Sequence, residues 1–175
     1  QALAFQVLAE APLDSRIRIA LVRELAAASG AAGMCAGQAL DMAATGKVLD
    51  LDSLERLHQL KTGALIRAAV RMGALSANAP QHCFSALDEF AEALGLAFQI
   101  RDDILDVEGS AMQLGKTAGK DLAQGKSTYP GLLGMERSKQ RLRQLSLKMQ
   151  SALEPMGASA DALRALAELA VARSN

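Results

Sequence analysis

The stretch LGLAFQIRDDILDVEG, residues 94–109, carries the clearest structural signal in the chain. Apolar residues recur through it at helical intervals on several faces, which predicts a helix that is buried on most sides. Gln99, Asp102 and Asp106 are separated by three and four positions, so they share one helix face, with Asp103 beside them. The pattern therefore predicts a long helix with three converging carboxylates near its C-terminal end.

The three predicted carboxylates need a counter-charge. Like charges at these spacings cost about 0.2–0.5 kcal/mol per pair, and the C-terminal end of a helix is already the negative end of its dipole. Oxygen ligands suit Mg²⁺, which characteristically bridges one or two carboxylates to substrate phosphates. The cluster favours a magnesium and diphosphate site. For a DDxxD pattern taken alone, the alternative is a solvated helix end with ordinary surface ion pairs.

Composition places the whole chain in the all-α class. Half of the 175 residues are apolar, only 3% are aromatic, and Ala and Leu dominate. This usage favours helices that pack closely through small side chains, whereas a sheet needs more β-branched and aromatic residues. The length fits one domain. We expect an antiparallel helical bundle in which residues 1–175 form a single domain.

Charge and cysteine content narrow the possible partners. The formal net charge is zero and no long basic run occurs, so we expect neither nucleic acid nor an anionic membrane as a partner. Charged residues are expected to interrupt every apolar run before the roughly 18 residues of a membrane span. Cys35 and Cys83 lie in apolar helical segments, which predicts reduced core thiols and a cytoplasmic protein.

Capping residues and helix breakers set the expected helix limits. Asp14 is the predicted N-cap of the second helix, and Asp52 or Ser53 that of a long helix containing Lys61. The expected helices are a first one ending near Glu10, then 14–29, a long one from 52 or 53, the acidic helix from Pro80 to about Gly109, and two covering helices over 127–153 and 158–174.

The segment GKTAGKDLAQGK, residues 115–126, follows the acidic helix and is rich in glycine and lysine. It predicts a surface loop whose Lys116, Lys120 and Lys126 are able to grip phosphate. It is not a P-loop, because no strand precedes it and the Walker spacing is absent. The alternative is a solvated hinge loop without a ligand.

Two further polar pairs stand out within apolar helices. Lys61 and Thr62 lie in the middle of the long helix, where a phosphate-binding role competes with a lysine that extends to solvent. Gln38 and Asp41 lie one turn apart, and the alternative to a site role is a hydrogen-bonded pair between helices. His58 has no partner at metal-ligand spacing and is predicted to be structural.

Three of these motifs together resemble a known family. GLAFQIRDDILDVEG followed by LGKTAGKDLAQGKSTYP is similar to the second aspartate-rich region of bacterial farnesyl diphosphate synthases, which are trans-prenyl diphosphate synthases. The resemblance extends to GMCAGQALDM and to LHQLKTGALIRAAV, with the motifs in the family's order. It therefore covers essentially the whole chain.

The resemblance implies the isoprenoid synthase fold and a prenyltransferase that joins isopentenyl diphosphate to an allylic diphosphate, dimethylallyl or geranyl, to give farnesyl diphosphate. It implies Mg²⁺ held directly by Asp102 and through water by Asp103 and Asp106. The remaining roles that it implies are diphosphate binding by Lys61 and Lys116, contact with the allylic cation by Thr62 and Gln99, substrate binding by Gln38, and support of the site by Asp41 and Asp121.

The chain departs from the family in one respect. The family's first aspartate-rich motif, its arginine pair and its Gly-Lys-Arg site do not occur in the sequence, and the expectation is that they and the N-terminal helices would precede Gln1. We expect the chain alone to be inactive and, from the family, a homodimer built through the first helices. The alternatives are a non-catalytic regulatory or dimerisation subunit, a longer-chain polyprenyl diphosphate synthase, and a terpene cyclase, which the Lys-Thr pair and the loop disfavour.

Overall fold

The computed structural model describes residues 1–112 and 126–173, which are largely helical and contain no strand, so the all-α prediction is confirmed. In chain order the elements are α1 Ala2–Glu10, α2 Ser15–Ser29, α3 Met34–Ala44, α4 Leu51–His58, a π-helix Gln59–Gly63, α5 Ala64–Ser76, α6 Cys83–Met112, α7 Tyr129–Leu133, α8 Met135–Leu153, a 3₁₀ helix Glu154–Ala160 and α9 Asp161–Ala172.

Helix α6 lies at the centre of the fold. It packs against α5, α8 and α9, and it also contacts α4, α7 and the π-helix. Phe90, Ala97, Ile100 and Ile104 of α6 are completely buried. A helix that is apolar on most faces must bury most of them. The expectation that the acidic helix is buried on most sides is confirmed by this packing.

Aspartate side chains cap the starts of helices α2 and α4. The Asp14 carboxylate accepts a hydrogen bond from the Arg16 N–H at 2.8 Å, so the predicted cap of α2 is confirmed. Helix α4 is capped by Asp50, whose side chain accepts the Ser53 N–H at 2.8 Å. The predicted cap at Asp52 or Ser53 was therefore wrong. A cap lies two or three residues before the N–H that it satisfies, which places Ser53 inside the helix.

A glycine divides the first of the two predicted covering helices. The helix expected over 127–153 is two helices, α7 and α8, joined at Gly134, where φ is +82°. The helix expected over 158–174 is α9, which a 3₁₀ helix precedes, and Gly157 in that 3₁₀ helix has φ +55°. Left-handed backbone is strained for residues with a Cβ, so these glycines permit turns that helical periodicity does not reveal.

The segment Ser15–Ala44 is, within residues 1–112 and 126–173, the one stretch long and apolar enough to cross a membrane by length and composition, with a mean hydropathy of 1.3 over 18 of its residues. The expectation that charges interrupt every apolar run was therefore wrong here. The chain bends between Gly30 and Gly33, leaving α2 and α3 with 15 and 11 residues, each shorter than the roughly 20 residues of a span.

Cys35 is exposed, so its prediction as a core thiol was wrong.

Candidate active site

The Lys61–Thr62 pair lies on a π-helix. The predicted long helix is interrupted at Gln59–Gly63, between α4 and α5. Such single-turn widenings of an α-helix are rare and occur frequently at functional sites. Periodicity alone did not predict it, because the apolar pattern continues through the segment.

Two glycines allow neighbouring helices to approach this π-helix. A Cβ placed on Gly37 of α3 would lie 2.2 Å from the backbone nitrogen of Lys61, and one on Gly95 of α6 would lie 2.8 Å from the Cα of Gly63. Real Cβ contacts of this length do not occur. The close helix packing through small residues that the composition favours is thus present at Lys61 itself.

Two lysines meet at the Asp41 carboxylate. Lys61 Nζ lies 2.8 Å from Asp41 Oδ2, and Lys126 Nζ lies 3.1 Å from the same oxygen. Burial acts to raise the pKa of Asp41, but hydrogen bonds and charge from the two lysines outweigh it, so the pKa lies below its ordinary value. An anionic side chain therefore gathers two cations that come from distant parts of the sequence.

Thr62 and Gln99 are joined across the same region. The Thr62 hydroxyl donates a hydrogen bond to the Gln99 side-chain oxygen, which links the π-helix to α6. The structure thereby brings together two residues that the sequence placed in separate motifs. Both side chains are partly buried, so each is held in position by the other.

The first aspartate of the DDxxD motif already pairs with a cation. The Asp102 carboxylate contacts the guanidinium of Arg173, which also lies over the Phe98 ring at 4.0 Å. Arg101 donates two hydrogen bonds to the Arg173 carbonyl oxygen, at 2.8 and 2.6 Å. The end of the described chain is thus held against the acidic face of α6.

The second aspartate points into the protein. Asp103 is only 6% exposed, and its Oδ2 accepts the Tyr129 N–H at 2.8 Å. His58 Nε2 lies 3.7 Å from this oxygen, and the His58 and Tyr129 rings are stacked at 6.0 Å. The structure thus gives Asp103 a set of partners different from that of Asp102.

Tyr129 is itself fixed by its side chain. Its hydroxyl donates to the Glu55 carboxylate at 2.6 Å, and Arg141 donates to the same oxygen at 3.3 Å. Burial raises the pKa of Tyr129 and the hydrogen bond to Glu55 raises it further, so the hydroxyl remains a donor.

The expectation that the carboxylates of Asp102, Asp103 and Asp106 converge was wrong. Consecutive helical residues lie about 100° apart, so Asp103 faces the core while Asp102 and Asp106 occupy the half-exposed face. Within residues 1–112 and 126–173, no group of three or more acidic, histidine or cysteine side chains is arranged to hold a metal. The carboxylates of Asp102 and Asp106, one helical turn apart, nevertheless fit Mg²⁺, which needs only one or two protein carboxylates beside substrate phosphates.

The polar residues surround a small cavity of about 100 Å³. Its wall combines the paired charges with apolar side chains of α4. The lining residues are Asp41, Ala44, Leu49, Leu54, Leu57, His58, Lys61, Gln99, Asp103, Lys126 and Ser127. Sequence reasoning predicted Lys61, Gln99 and the acids but assigned His58 no site role, because nothing in its spacing shows that it faces the same space as Asp103.

The structure describes some of the remaining predicted site residues and leaves others outside its range. Gln38 is exposed on α3, and Asp41 is paired with the lysines. Lys116, Lys120 and Asp121 lie outside the described residues. Arg173 was missed altogether, because an arginine near a chain end has no distinguishing local pattern.

Comparison with known proteins places the chain in a family. The family model for polyprenyl synthetase matches residues 1–166. Farnesyl diphosphate synthase of Escherichia coli is 49% identical over 99% of the chain, which covers 60% of that relative. The chain thus spans about 60% of the length of such curated relatives.

Solved structures share the fold at similar coverage. An FPP/GFPP synthase of Zymomonas mobilis has a TM-score of 0.85 and 37% identity, covering 98% of this chain and 57% of that one. A geranyltransferase of Helicobacter pylori, complexed with magnesium and isoprenyl diphosphate, has a TM-score of 0.80 and 32% identity, covering 97% and 56%. The family match, the identity and the shared helical fold agree, and the chain belongs to the polyprenyl synthetase family.

Proposed function

We propose that these residues form the magnesium and allylic-diphosphate part of a prenyltransferase site, for the condensation of isopentenyl diphosphate with dimethylallyl or geranyl diphosphate to give farnesyl diphosphate. The observation that carries this proposal is the meeting of Lys61 and Lys126 at one carboxylate oxygen of Asp41, beside the cavity. Two converging ammonium groups suit a multiply charged anion such as diphosphate. Farnesyl diphosphate synthases among the relatives support this choice of substrate and product.

The chain's own residues divide the proposed work. Lys61 and Lys126, with Lys116 by family resemblance, bind the allylic diphosphate and lower the cost of charge on its leaving oxygens. The oxygens of Thr62 and Gln99 face the positive charge that develops on the allylic carbon. Gln38 contributes to substrate binding from α3.

Magnesium is the proposed cofactor. Asp102 would bind it directly and Asp106 through water, with Asp41 and Asp121 supporting the arrangement, whereas Asp103 faces the core and accepts the Tyr129 N–H. A bound Mg²⁺ would supply positive charge to offset the negative charge of the diphosphate leaving group. The acidic face of α6 supports this assignment, since Asp102 already attracts the Arg173 guanidinium.

A cytoplasmic homodimer is proposed for the assembled protein. Leu3 and Val7 of α1 and Ile19 of α2 are 71%, 58% and 61% exposed, and large apolar side chains exposed on neighbouring helices favour burial by a second protein surface. The relatives being bacterial farnesyl diphosphate synthases supports the cytoplasmic assignment.

The test is calorimetric titration of geranyl diphosphate into the chain with and without Mg²⁺. Binding is expected to require Mg²⁺ and to weaken at least tenfold in Lys61→Ala, because a charge-assisted contact contributes about 1.5–3 kcal/mol. Lys47→Ala is the matched control, since Lys47 is exposed outside the helices. Binding that is indifferent to Mg²⁺, or that Lys47→Ala weakens as much as Lys61→Ala, would refute the proposal.

A further inference from the structure

The position of Lys126 depends on the residues that follow it in the chain. Residues 126–128 lie outside the helices and lead directly into α7, which begins at Tyr129. The Leu49 N–H donates to the Ser127 hydroxyl at 2.9 Å, and the Thr128 hydroxyl accepts the Gly131 N–H at 3.2 Å. Each contact fixes one residue of the segment.

The deepest of these attachments is made by Asp103. Its carboxylate is buried, and the Tyr129 N–H that it accepts is buried with it. A buried carboxylate is costly unless it is hydrogen-bonded, so this contact is expected to persist whenever the protein is folded. It connects α6 directly to the residue three positions after Lys126.

We propose that Asp103 is a positioning residue that holds Lys126 at the site through the Tyr129 N–H. This inference rests on the proposed function insofar as Lys126 binds diphosphate. Asp103 thereby differs from Asp102 and Asp106, because its carboxylate orients the chain that carries a ligand-binding cation. Because consecutive helical residues point about 100° apart, the neighbouring Asp102 and Asp103 lie on a half-exposed face and an inward face of α6.

Contacts around Tyr129 make this arrangement stiff. The Tyr129 ring is stacked on buried His58, and its hydroxyl is bound to Glu55. Tyr129 is completely buried, so it does not swing away when Lys126 moves. If the Tyr129 backbone moves, Lys126 is therefore expected to move with it, because the Tyr129 side chain is held in place.

The experiment compares Asp103→Asn with Asp103→Leu in the intact chain. Asn keeps an oxygen that accepts the Tyr129 N–H but lacks the charge, whereas Leu has a similar size and no acceptor. Hydrogen exchange at the Tyr129 amide is the direct readout. Protection is expected to fall about tenfold in the Asn variant, because charge-assisted bonds are stronger than neutral ones, and to fall further in the Leu variant.

Acylation of Lys126 by an amine-reactive reagent, read by peptide mass spectrometry, is the second readout. Lys126 is expected to react several-fold faster in Asp103→Leu than in Asp103→Asn, as the lysine leaves Asp41. Asp102→Ala is the matched control, since it removes the neighbouring exposed carboxylate and should leave both readouts unchanged. Should the Leu variant not fold, the graded loss at the Tyr129 amide in the Asn variant decides the question.

Unchanged protection of the Tyr129 amide in Asp103→Asn, or equal losses in Asp102→Ala, would overturn the proposal. So would unchanged Lys126 reactivity in a folded Leu variant. These readouts need neither Mg²⁺ nor diphosphate. Failure of the chain to bind geranyl diphosphate would therefore count against the proposed function while leaving the positioning role of Asp103 to be decided by exchange.

Discussion

Gly37 of α3 lies directly against the backbone of Lys61, so close that a Cβ on Gly37 would stand 2.2 Å from the Lys61 nitrogen. The helix that carries Asp41 is thereby pressed onto the π-helix that carries its lysine partner. Gly37→Ala is expected to destabilise the chain by about 1–3 kcal/mol through overpacking, despite the higher helix propensity of alanine.

Urea unfolding followed by circular dichroism measures this change. Gly73→Ala is the matched control, because Gly73 lies within α5 and a Cβ there would meet nothing within 4 Å. That variant should gain up to about 1 kcal/mol from helix propensity alone. The same sign for both substitutions would contradict the close approach at Lys61.

Asp41 is expected to make stability depend on pH. Because its folded-state pKa is lowered, its contribution is present above the unfolded pKa and is lost as pH falls through the folded value, below about 4. Asp41→Asn should cost about 1–2 kcal/mol at pH 7, where it leaves two lysines without their shared anion.

Urea unfolding at pH 7, 5 and 3.5 checks this prediction, since the difference between the natural chain and Asp41→Asn should shrink at the lowest pH. Glu89→Gln is the control, because the Glu89–Lys148 pair is exposed and is expected to contribute less than about 1 kcal/mol. A difference that stays constant across this range would show that the Asp41 charge does not stabilise the fold.

The Thr62–Gln99 hydrogen bond should appear as coupling in a double-mutant cycle. Thr62→Val leaves the Gln99 oxygen without its donor, at an expected cost of about 1–2 kcal/mol. Combined with Gln99→Leu, the two losses should fall short of additivity by about 1 kcal/mol. Additive losses in thermal or urea unfolding would mean that the two side chains act independently.

Arg173 is expected to compete with Mg²⁺ for Asp102. The pair is partly exposed, with 25% and 47% of the side chains accessible, so it should contribute about 0.2–1 kcal/mol. Arg173→Gln should therefore tighten Mg²⁺ binding up to about fivefold in calorimetry. Arg137→Gln, at an exposed arginine of α8, is the control and should leave Mg²⁺ binding unchanged. Weaker Mg²⁺ binding in Arg173→Gln would contradict the competition.

The 175-residue chain by itself is expected to show no turnover of isopentenyl diphosphate with dimethylallyl or geranyl diphosphate. DDILD, residues 102–106, is the only DDxxD pattern in its sequence, whereas the family that it resembles uses two. Chromatographic product analysis, with a full-length bacterial farnesyl diphosphate synthase as the positive control, measures this. Formation of farnesyl diphosphate by the chain alone would show the prediction to be wrong.

Local patterns were enough to predict the all-α fold and the buried acidic helix, and to select Lys61, Thr62 and Gln99 as candidate site residues. Each of these predictions depends on helical periodicity or on a short motif. The capping role of Asp14 was also predictable, since a cap acts within two or three residues of itself. Helix interruptions at the π-helix and at Gly134 were not predicted, because the apolar pattern continues across them.

The sequence by itself determined which residue types are available: acids one turn apart on a helix, a lysine beside a threonine, and a lysine-bearing segment before α7. Only the tertiary structure decided their partners, placing Asp41 between two lysines, Asp102 on Arg173 and Asp103 on the Tyr129 N–H. The physical reason is that periodicity fixes the angle at which a side chain leaves its own helix, whereas its partner depends on how several helices pack together.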